Sequence, residues 1–302
     1  MKKLEINSLF DGLTLSILIL KPKGKIKGIV QIAHGMAEHK ERYIPFMEFL
    51  NDNGYIAVIH DHRGHGKSIK STSDYGYFYD DTGKAIVEDL HQITLYIKEK
   101  FPNLPIYLLG HSMGSMVARK YIKKYDRDIS KLIVCGAPSR NDDVGIALKL
   151  TKVLLKIKGD KHRSKLLNNL TFGSYNRKFR IENSKNAWLC SDSEVVKKYD
   201  EDPQCGFIFT LNGFWNLFIL LRDIYNEEDY LVRNPNMPIL FIAGGQDPVI
   251  ISKRDWEESQ LFFKNIGYDN VKGILYRNMR HEILNEIDKI QVYEDILNFI
   301  ES

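Results

Sequence analysis

Three residues far apart in the sequence have the types and the order of a nucleophilic catalytic triad. Ser112 lies in a Gly-x-Ser-x-Gly pentapeptide, Asp247 lies in a glycine-rich turn before a proline, and His281 follows an apolar run. A serine hydroxyl is a weak nucleophile in water and needs a histidine base, which in turn needs an acid to orient it. We therefore predict that Ser112 is the nucleophile, His281 the general base and Asp247 the orienting acid.

The surroundings of Ser112 favour this interpretation over a chance match. The pentapeptide stands between an apolar run at 106–109 and a helical pattern that begins at Met113. A strand-to-helix turn of this kind projects the serine oxygen, and the helix N-terminus favours developing negative charge. Taken singly, Asp247 is also typical of an ordinary turn and His281 of a surface loop.

A second loop, His34 to His39, follows the apolar run at 28–33. The tetrahedral intermediate of acyl transfer carries an oxyanion, which backbone N–H groups stabilise. We predict that the N–H groups of Met36 and Met113 form this oxyanion hole.

Three motifs together resemble one family: His34-Gly35-Met36-Ala37-Glu38-His39 with Arg42-Tyr43, then Asp61-His62-Arg63-Gly64-His65-Gly66-Lys67-Ser68, then Gly110-His111-Ser112-Met113-Gly114. The family is the monoglyceride lipase and lysophospholipase branch of the α/β-hydrolases, which is also described as serine aminopeptidase-like. The resemblance covers the whole catalytic core.

The resemblance also implies roles for individual residues of the first loop. Met36 and Met113 match the residues that give the oxyanion hole in that branch, and Glu38 and Arg42 match residues that shape the polar end of the site. Methionine at 36 stands where a smaller residue is common, which would narrow the side of the site that holds the alcohol.

The spacing of His60, His62 and His65 offers a competing interpretation as a zinc site, because metallo-hydrolases gather ligands in a similar pattern. The aspartate that such sites usually keep before the last histidine is Gly64 here, and the run coincides with the family motif. We therefore predict no metal, and the triad mechanism requires no organic cofactor.

The elements that must position these residues alternate along the chain. Apolar, β-branched runs at 28–33, 55–59, 106–109, 131–135, 239–243 and 271–276 are typical of buried parallel strands, and amphipathic segments at 43–53, 85–101, 113–125 and 287–301 of helices. This order predicts an α/β-hydrolase fold, a mostly parallel, doubly wound sheet whose site lies at the carboxyl ends of the strands.

The alternation stops between 138 and 234, which predicts a helical cap inserted between core segments 1–137 and 235–302. The cap contains Phe207, Phe214 and Trp215, which we predict to bind the acyl chain of a substrate, although they could equally form the cap's own small core. The two roles are compatible.

A lysine-rich helix at 146–158 lies within the predicted cap. At helical spacing Ile146, Leu150, Val153, Leu154 and Ile157 share one face, and Lys149, Lys152 and Lys156 line the other. The helix either packs its apolar face on the core or lies at the surface of an anionic membrane.

Composition narrows the function and the compartment. Lys and Arg number 43 against 39 Asp and Glu, an excess too small to indicate nucleic acid. Three cysteines at wide spacings favour a reducing compartment, and polar residues interrupt any signal peptide. We expect a cytoplasmic protein that can lie on the inner membrane surface, with no protein partner evident.

These observations predict an enzyme that hydrolyses a small lipid ester, either a monoacylglycerol or a lysophospholipid, through an acyl-enzyme. A short-chain or aryl carboxylesterase is the alternative with the same chemistry. A non-catalytic ligand receptor or scaffold on the same fold is an alternative of another class, which the complete triad disfavours.

Overall fold

The computed structural model describes residues 1–182 and 184–302, and at its centre lies an eight-stranded sheet. In chain order its strands are β1 Lys2–Asn7, β2 Thr14–Leu20, β3 Gly28–Ala33, β4 Tyr55–His60, β5 Ile106–His111, β6 Lys131–Cys135, β7 Ile239–Gly244 and β8 Val271–Tyr276. Their spatial order is β1-β2-β4-β3-β5-β6-β7-β8. The six strands β3 to β8 all pair in parallel, which confirms the predicted sheet.

The two N-terminal strands form an antiparallel edge that the apolar pattern does not predict. β1 pairs with β2, and β2 pairs with β4. β1 alternates exposed and half-buried residues, so it lacks the continuous apolar run of a central strand. Edge strands of this kind depend on a neighbouring strand for most of their apolar contact.

Helices connect the strands. Their bounds are α1 Ile44–Asp52, α2 Ala85–Lys100, α3 Met113–Tyr125, α4 Val144–Lys158, α5 Lys165–Phe172, α6 Ser193–Glu201, α7 Leu211–Asp223, α8 Lys253–Asn265 and α9 Lys289–Glu301. One buried cluster on one side of the sheet includes residues of α1 and α9, and a larger cluster on the other side includes residues of α2, α3 and α8. The sheet is therefore covered by helices on both faces, as a doubly wound fold requires.

Helices α4 to α7 follow one another between β6 and β7, the part of the chain where the strand pattern stops. α7 carries more buried apolar residues than any other of these four helices and packs against α3 and α4. The division at 137 and 234 into core and cap remains a proposal.

The buried side of α4 differs from its predicted apolar face. Its buried residues are Leu148 and Thr151, whereas Ile146, Val153 and Ile157 are 67%, 53% and 68% exposed. Of the two predicted arrangements, packing on the core does not apply to these three residues, because α4 contacts α7 and buries a different side. Their apolar side chains lie at the surface instead.

Candidate active site

Ser112 lies in the turn that joins β5 to α3. Its backbone has φ 52° and ψ −116°, a conformation that a residue with a side chain rarely adopts and that is typical of strained turns at functional sites. Gly110 and Gly114 flank it; a Cβ at Gly114 would collide with the carbonyl oxygen of Ala33 in β3. The turn can therefore close only with glycine at this position, and it holds Ser112 at the carboxyl end of the sheet.

Asp247 and His281 lie at the ends of the two neighbouring strands. Asp247 follows β7, and its Oδ1 accepts a hydrogen bond of 2.8 Å from the N–H of Val249. Its Oδ2 lies 2.9 Å from Nδ1 of His281, and both side chains are buried. This contact fixes Nδ1 as the protonated nitrogen and leaves Nε2 of His281 free to accept a proton.

Ser112 and His281 line the same cavity. Within the described part of the chain, Ser112 Oγ makes no hydrogen bond to His281. In hydrolases without substrate the contact between nucleophile and base is often long. The structure thus places the three predicted triad residues after strands β5, β7 and β8, at the carboxyl edge of the sheet and around one cavity, with Asp247 joined to His281.

Met36 and Met113 also line this cavity, one from the loop after β3 and the other from the first position of α3. The backbone N–H of each makes no hydrogen bond to the described part of the chain. Gly35 N–H donates to Oε1 of Glu38 at 2.6 Å, which orders the loop that presents Met36. Both N–H groups are therefore available to a ligand, and the oxyanion hole stays a prediction. We refer to residues 34–39 as the oxyanion loop.

Glu38 belongs to a buried polar network behind the loop. Its carboxylate accepts hydrogen bonds from Arg42 at 2.6 Å and from the hydroxyl of Tyr43 at 2.8 Å, and it lies 3.4 Å from Nδ1 of His111. Burial alone would raise the pKa of the Glu38 carboxyl, but the charge of Arg42 and the contacts with His111 and His34 together outweigh it and hold this pKa well below its usual range. Glu38 is thus an anion that braces the oxyanion loop.

Arg42 lies on the far side of this network and is not among the described residues that line the cavity. Its guanidinium forms paired hydrogen bonds of 2.7 and 2.6 Å with Glu282, the residue after His281. The predicted contact of Arg42 with substrate is therefore corrected to an indirect one: Arg42 connects the oxyanion loop to the loop of His281. Glu282 was not predicted, and nothing in its spacing marks it.

His111, next to the nucleophile, is a further member of the network that the triad pattern does not single out. Its ring lies 4.8 Å from that of His281, centroid to centroid, and Nε2 lies 3.3 Å from the carbonyl oxygen of His281. Burial disfavours the charged imidazole, but the hydrogen bond with Glu38, the charges of Glu38 and Glu282 and the His281 carbonyl together raise the pKa of His111 above its ordinary value. His111 therefore joins three parts of the site, namely the turn of Ser112, Glu38 and the His281 loop.

The cavity has a volume of about 350 Å³ and extends from Ser112 under α7. Phe207 lines it, as predicted, together with Leu217, Phe218 and Leu221 of α7. Phe214 and Trp215 are not among the described lining residues. Phe214 is fully buried beside Phe209 and Phe218, and Trp215 points the other way and donates Nε1–H to the carbonyl oxygen of Asp81.

The helix face explains this difference for Trp215 alone. Residue 214 is followed by 217, 218 and 221 at intervals of three, four and seven, so all four share one side of α7, whereas 215 lies round the helix. Phe214 lies one turn before the part of this side that lines the cavity. Acyl binding by Phe207 stays a prediction, and on α7 the lining residues Leu217, Phe218 and Leu221 are better candidates than Phe214 and Trp215.

An irregular segment of the cap lies directly on the His281 loop. The N–H of Glu282 donates to the carbonyl oxygen of Leu189 at 2.7 Å, and the ring of Trp188 lies 5.0 Å from that of His281. Arg280 donates to Glu182 and to the carbonyl oxygen of Ala187. Sequence reasoning missed this segment because short irregular stretches have no apolar period.

His60, His62 and His65 are buried beneath the oxyanion loop together with His34. The rings of His34 and His62 lie 4.4 Å apart, and those of His60 and His62 lie 4.8 Å apart. Within the described residues His60, His62 and His65 do not bring three ligand atoms within 4.8 Å of one another, so the geometry gives the zinc alternative no support. Burial lowers the pKa of each of the four imidazoles, that of His65 to about 4.

No described helix is both long and apolar enough to cross a bilayer.

Comparison with known proteins places this geometry among ester hydrolases. The family model described as "Serine aminopeptidase, S33" matches residues 24–288. A monoglyceride lipase of Rattus norvegicus is 33% identical over 289 residues, covering 92% of this chain and 86% of that protein. A monoacylglycerol lipase of Mycolicibacterium smegmatis is 25% identical over 297 residues, covering 96% of this chain and 94% of that protein.

The solved structure of a thermostable carboxyl esterase from Bacillus coagulans is similar over nearly the whole fold. Its TM-score is 0.89 at 29% sequence identity, with 99% of this chain and 97% of that chain covered.

Proposed function

We propose that this chain, which belongs to the serine aminopeptidase S33 family of α/β-hydrolases, cleaves the ester bond of a monoacylglycerol or a lysophospholipid. The chain is a carboxylic ester hydrolase. The observation that carries the finer proposal is that one cavity holds both Ser112 and the apolar side of α7. A single acyl chain fits this arrangement, with its carbonyl at the serine and its tail under the cap.

In the proposed mechanism Ser112 Oγ attacks the ester carbonyl while Nε2 of His281 takes its proton. Asp247 holds the imidazole through Nδ1 and stabilises the imidazolium that forms. The N–H groups of Met36 and Met113 bind the oxyanion, and His281 then gives the proton to the leaving alcohol. Water, deprotonated by His281, attacks the acyl-enzyme and releases the fatty acid and free Ser112.

The lining of the cavity is divided between apolar and polar residues. The apolar lining residues include Phe172, Leu217, Phe218 and Leu221, and the polar ones include amides and one cation, namely Asn168, Asn169, Asn176, Asn186 and Lys185. A molecule with one long acyl chain and a polar alcohol matches both kinds of lining. This mixed lining favours a monoacyl lipid over a small apolar ester.

The test is kcat/KM for a series of esters from acetyl to lauroyl, on p-nitrophenol and on glycerol. Each buried methylene contributes about 0.8 kcal/mol, so four carbons add at most roughly 3 kcal/mol of binding. Only the part retained in the transition state raises kcat/KM, so we expect a climb that levels off at medium chain length. A steady fall beyond butyryl would instead identify a small-ester carboxylesterase.

We further propose that the exposed apolar residues of the cap contact the lipid surface that holds the substrate. Ile146, Val153 and Ile157 of α4 are exposed, as are Leu166 and Leu170 of α5. α5 also supplies lining residues of the cavity, so this surface lies near the cavity. Exposed lysines at 149, 152 and 156 add attraction to anionic lipid.

The test is sedimentation with vesicles of anionic phospholipid. Val153→Asp combined with Ile157→Asp should reduce the bound fraction severalfold, because both charges would enter the interface. Leu261→Asp with Ile290→Asp is the control, since Leu261 and Ile290 are 53% and 52% exposed on other helices. Equal binding of both double variants would refute this contact.

A further inference from the structure

We propose that His39, Asp202 and Cys205 form a binding site for a divalent transition metal of the zinc class. His39 belongs to the loop after β3, and Asp202 and Cys205 belong to the turn after α6. The site is separate from the triad, and the proposal goes beyond the ester hydrolysis proposed above.

The geometry of the cluster fits a small tetrahedral ion. The ligand atoms of the three residues, one from each, all lie within 4.8 Å of one another, and Nε2 of His39 lies 2.9 Å from Oδ2 of Asp202. Bonds of about 2.0–2.3 Å to nitrogen, oxygen and sulfur place the ligands of a tetrahedral zinc ion roughly 3–4 Å apart. The imidazole and the carboxylate therefore need to separate only slightly.

The other side of the imidazole supports a ligand role for His39. Nδ1 lies 3.0 Å from Oε2 of Glu41, so the hydrogen bond to this carboxylate places the Nδ1 proton and turns Nε2 toward Asp202 and Cys205. A carboxylate on the distal nitrogen is the usual partner of a metal-binding histidine, because it fixes the tautomer and raises the basicity of the ligand. Two carboxylates facing one imidazole also favour a cation at this position.

The cationic side chains nearest the cluster are already paired. Lys40 contacts Asp61 and lies 3.4 Å from Glu41, and Arg42 is held by Glu38 and Glu282. Their charges are balanced by these carboxylates, which reduces the repulsion that a bound dication would meet.

The donor set selects the class of metal. Imidazole and thiolate favour zinc and similar ions, whereas magnesium and calcium prefer an all-oxygen set. Binding forms one bond each to Nε2, Oδ2 and Sγ, and two protons go to solvent: the thiol proton of Cys205 and the Nε2 proton that His39 shares with Asp202 in the absence of metal. Three protein ligands leave a fourth position for water.

A metal here would strengthen an existing contact between the turn after α6 and the oxyanion loop. Gly206 N–H and the hydroxyl of Tyr199 both donate to the carbonyl oxygen of Ala37, at 2.9 and 3.0 Å. The next residue, Phe207, lines the cavity. The bound ion would hold this turn on the loop that carries Met36.

The test is titration of the reduced full-length protein with cobalt(II), which reports thiolate ligation by a sulfur-to-cobalt charge-transfer band. We expect one cobalt per chain, loss of the band in Cys205→Ser, and an affinity about tenfold to a hundredfold weaker in Glu41→Gln. Cys190→Ser is the control, because Cys190 is also a buried free thiol but lies outside the cluster. Zinc should raise the Tm of wild type and of Cys190→Ser, and should not raise that of Cys205→Ser.

The proposal is overturned if no charge-transfer band appears, or if the band survives Cys205→Ser. Ser112→Ala should bind cobalt as wild type does, so this result does not depend on the proposed ester hydrolysis. The Tm of each variant without metal checks that it is folded, and the Glu41→Gln comparison keeps the proposal testable if a ligand variant is unstable.

Discussion

At the residue scale, the turn at Ser112 combines a strained backbone with a polar network that braces it. The positive φ of Ser112 is kept by the flanking glycines and by the hydrogen bond from its N–H to the carbonyl oxygen of Cys135 in β6, 2.9 Å long. Such strain persists only where the surroundings determine it. The position is therefore specialised to present the hydroxyl.

We predict that Ser112→Ala and His281→Ala each lower kcat by about a thousandfold or more, and that the double variant loses little further. Triad members act as a unit, so removing the second gives only a small additional loss. Steady-state kinetics on a p-nitrophenyl ester measure this, with circular dichroism to check folding. Near-additive losses would contradict the assignment of Ser112 and His281.

Arg42 is predicted to act as a positioning residue through Glu38 and Glu282. Arg42→Gln should lower kcat between about tenfold and a hundredfold with little change in KM, because the oxyanion loop loses its alignment with His281. Breaking a buried ion pair should also destabilise the fold by roughly 3–5 kcal/mol.

The control for this variant is Arg63→Gln, which breaks another buried ion pair, with Asp89 and Asp11, away from the described cavity. It should lower the free energy of unfolding and leave kcat of the folded protein close to wild type. If the two variants lose kcat equally, the effect of Arg42 is one of stability alone.

At the scale of elements, α7 turns one side to the cavity and another to the core. Leu217, Phe218 and Leu221 line the site, whereas Asn216 and Leu220 lie on another side of the helix and are buried. The aromatic run at 207–221 predicts an acyl site. Which side of α7 faces the cavity is decided by how the helix packs on α3 and α4, and the sequence does not show this packing.

We predict that Phe218→Ala combined with Leu221→Ala reduces kcat/KM for lauroyl esters by about tenfold or more and hardly affects acetyl esters. Removing buried side chains loses about 1.5–3 kcal/mol each, and the tail contacts them only when the chain is long. Trp215→Ala is the matched control on the same helix and should leave the ratio of lauroyl to acetyl kcat/KM unchanged. A change in this ratio with Trp215→Ala would restore Trp215 to the acyl site.

At the scale of the whole molecule, the sheet follows from the sequence more readily than the contacts across it. The six parallel strands are continuous β-branched runs, and each predicted triad residue follows one of them, so their shared edge could be predicted. Three features could not be predicted, because each depends on a distant partner surface. They are the antiparallel pairing of β1 and β2, the side of α4 that is buried, and the contact of Trp188 with His281.

The buried histidines predict how the stability of the whole fold depends on pH. His34, His60, His62 and His65 have folded-state pKa values below the ordinary value, that of His65 about 4, because burial disfavours the charged form. Between about pH 6.5 and these lower values the unfolded chain binds more protons than the folded one. The stability that these four histidines contribute is therefore present above about pH 6.5 and is lost as the pH falls, by up to about 1.4 kcal/mol per pH unit for each histidine.

Urea unfolding between pH 7 and pH 5 measures this dependence. His60→Leu should reduce the slope of the free energy of unfolding against pH by the equivalent of up to one proton. Both ring nitrogens of His60 are buried without a partner in the described part of the chain, so this histidine stays neutral in the folded state and takes up its proton on unfolding. The exposed His162, changed to Gln, is the control and should keep the wild-type slope. A slope that is unchanged in His60→Leu would refute this origin of the acid sensitivity.

The measurement that tests the central claim most directly is rapid acid quenching of the enzyme with 1-lauroylglycerol, followed by mass spectrometry of the intact chain and its peptides. The account predicts a lauroyl adduct that forms before steady state, maps to the peptide containing Ser112 and is absent in Ser112→Ala. Lauroylglycerol hydrolysis that persists in Ser112→Ala, or an adduct on another residue, would contradict it.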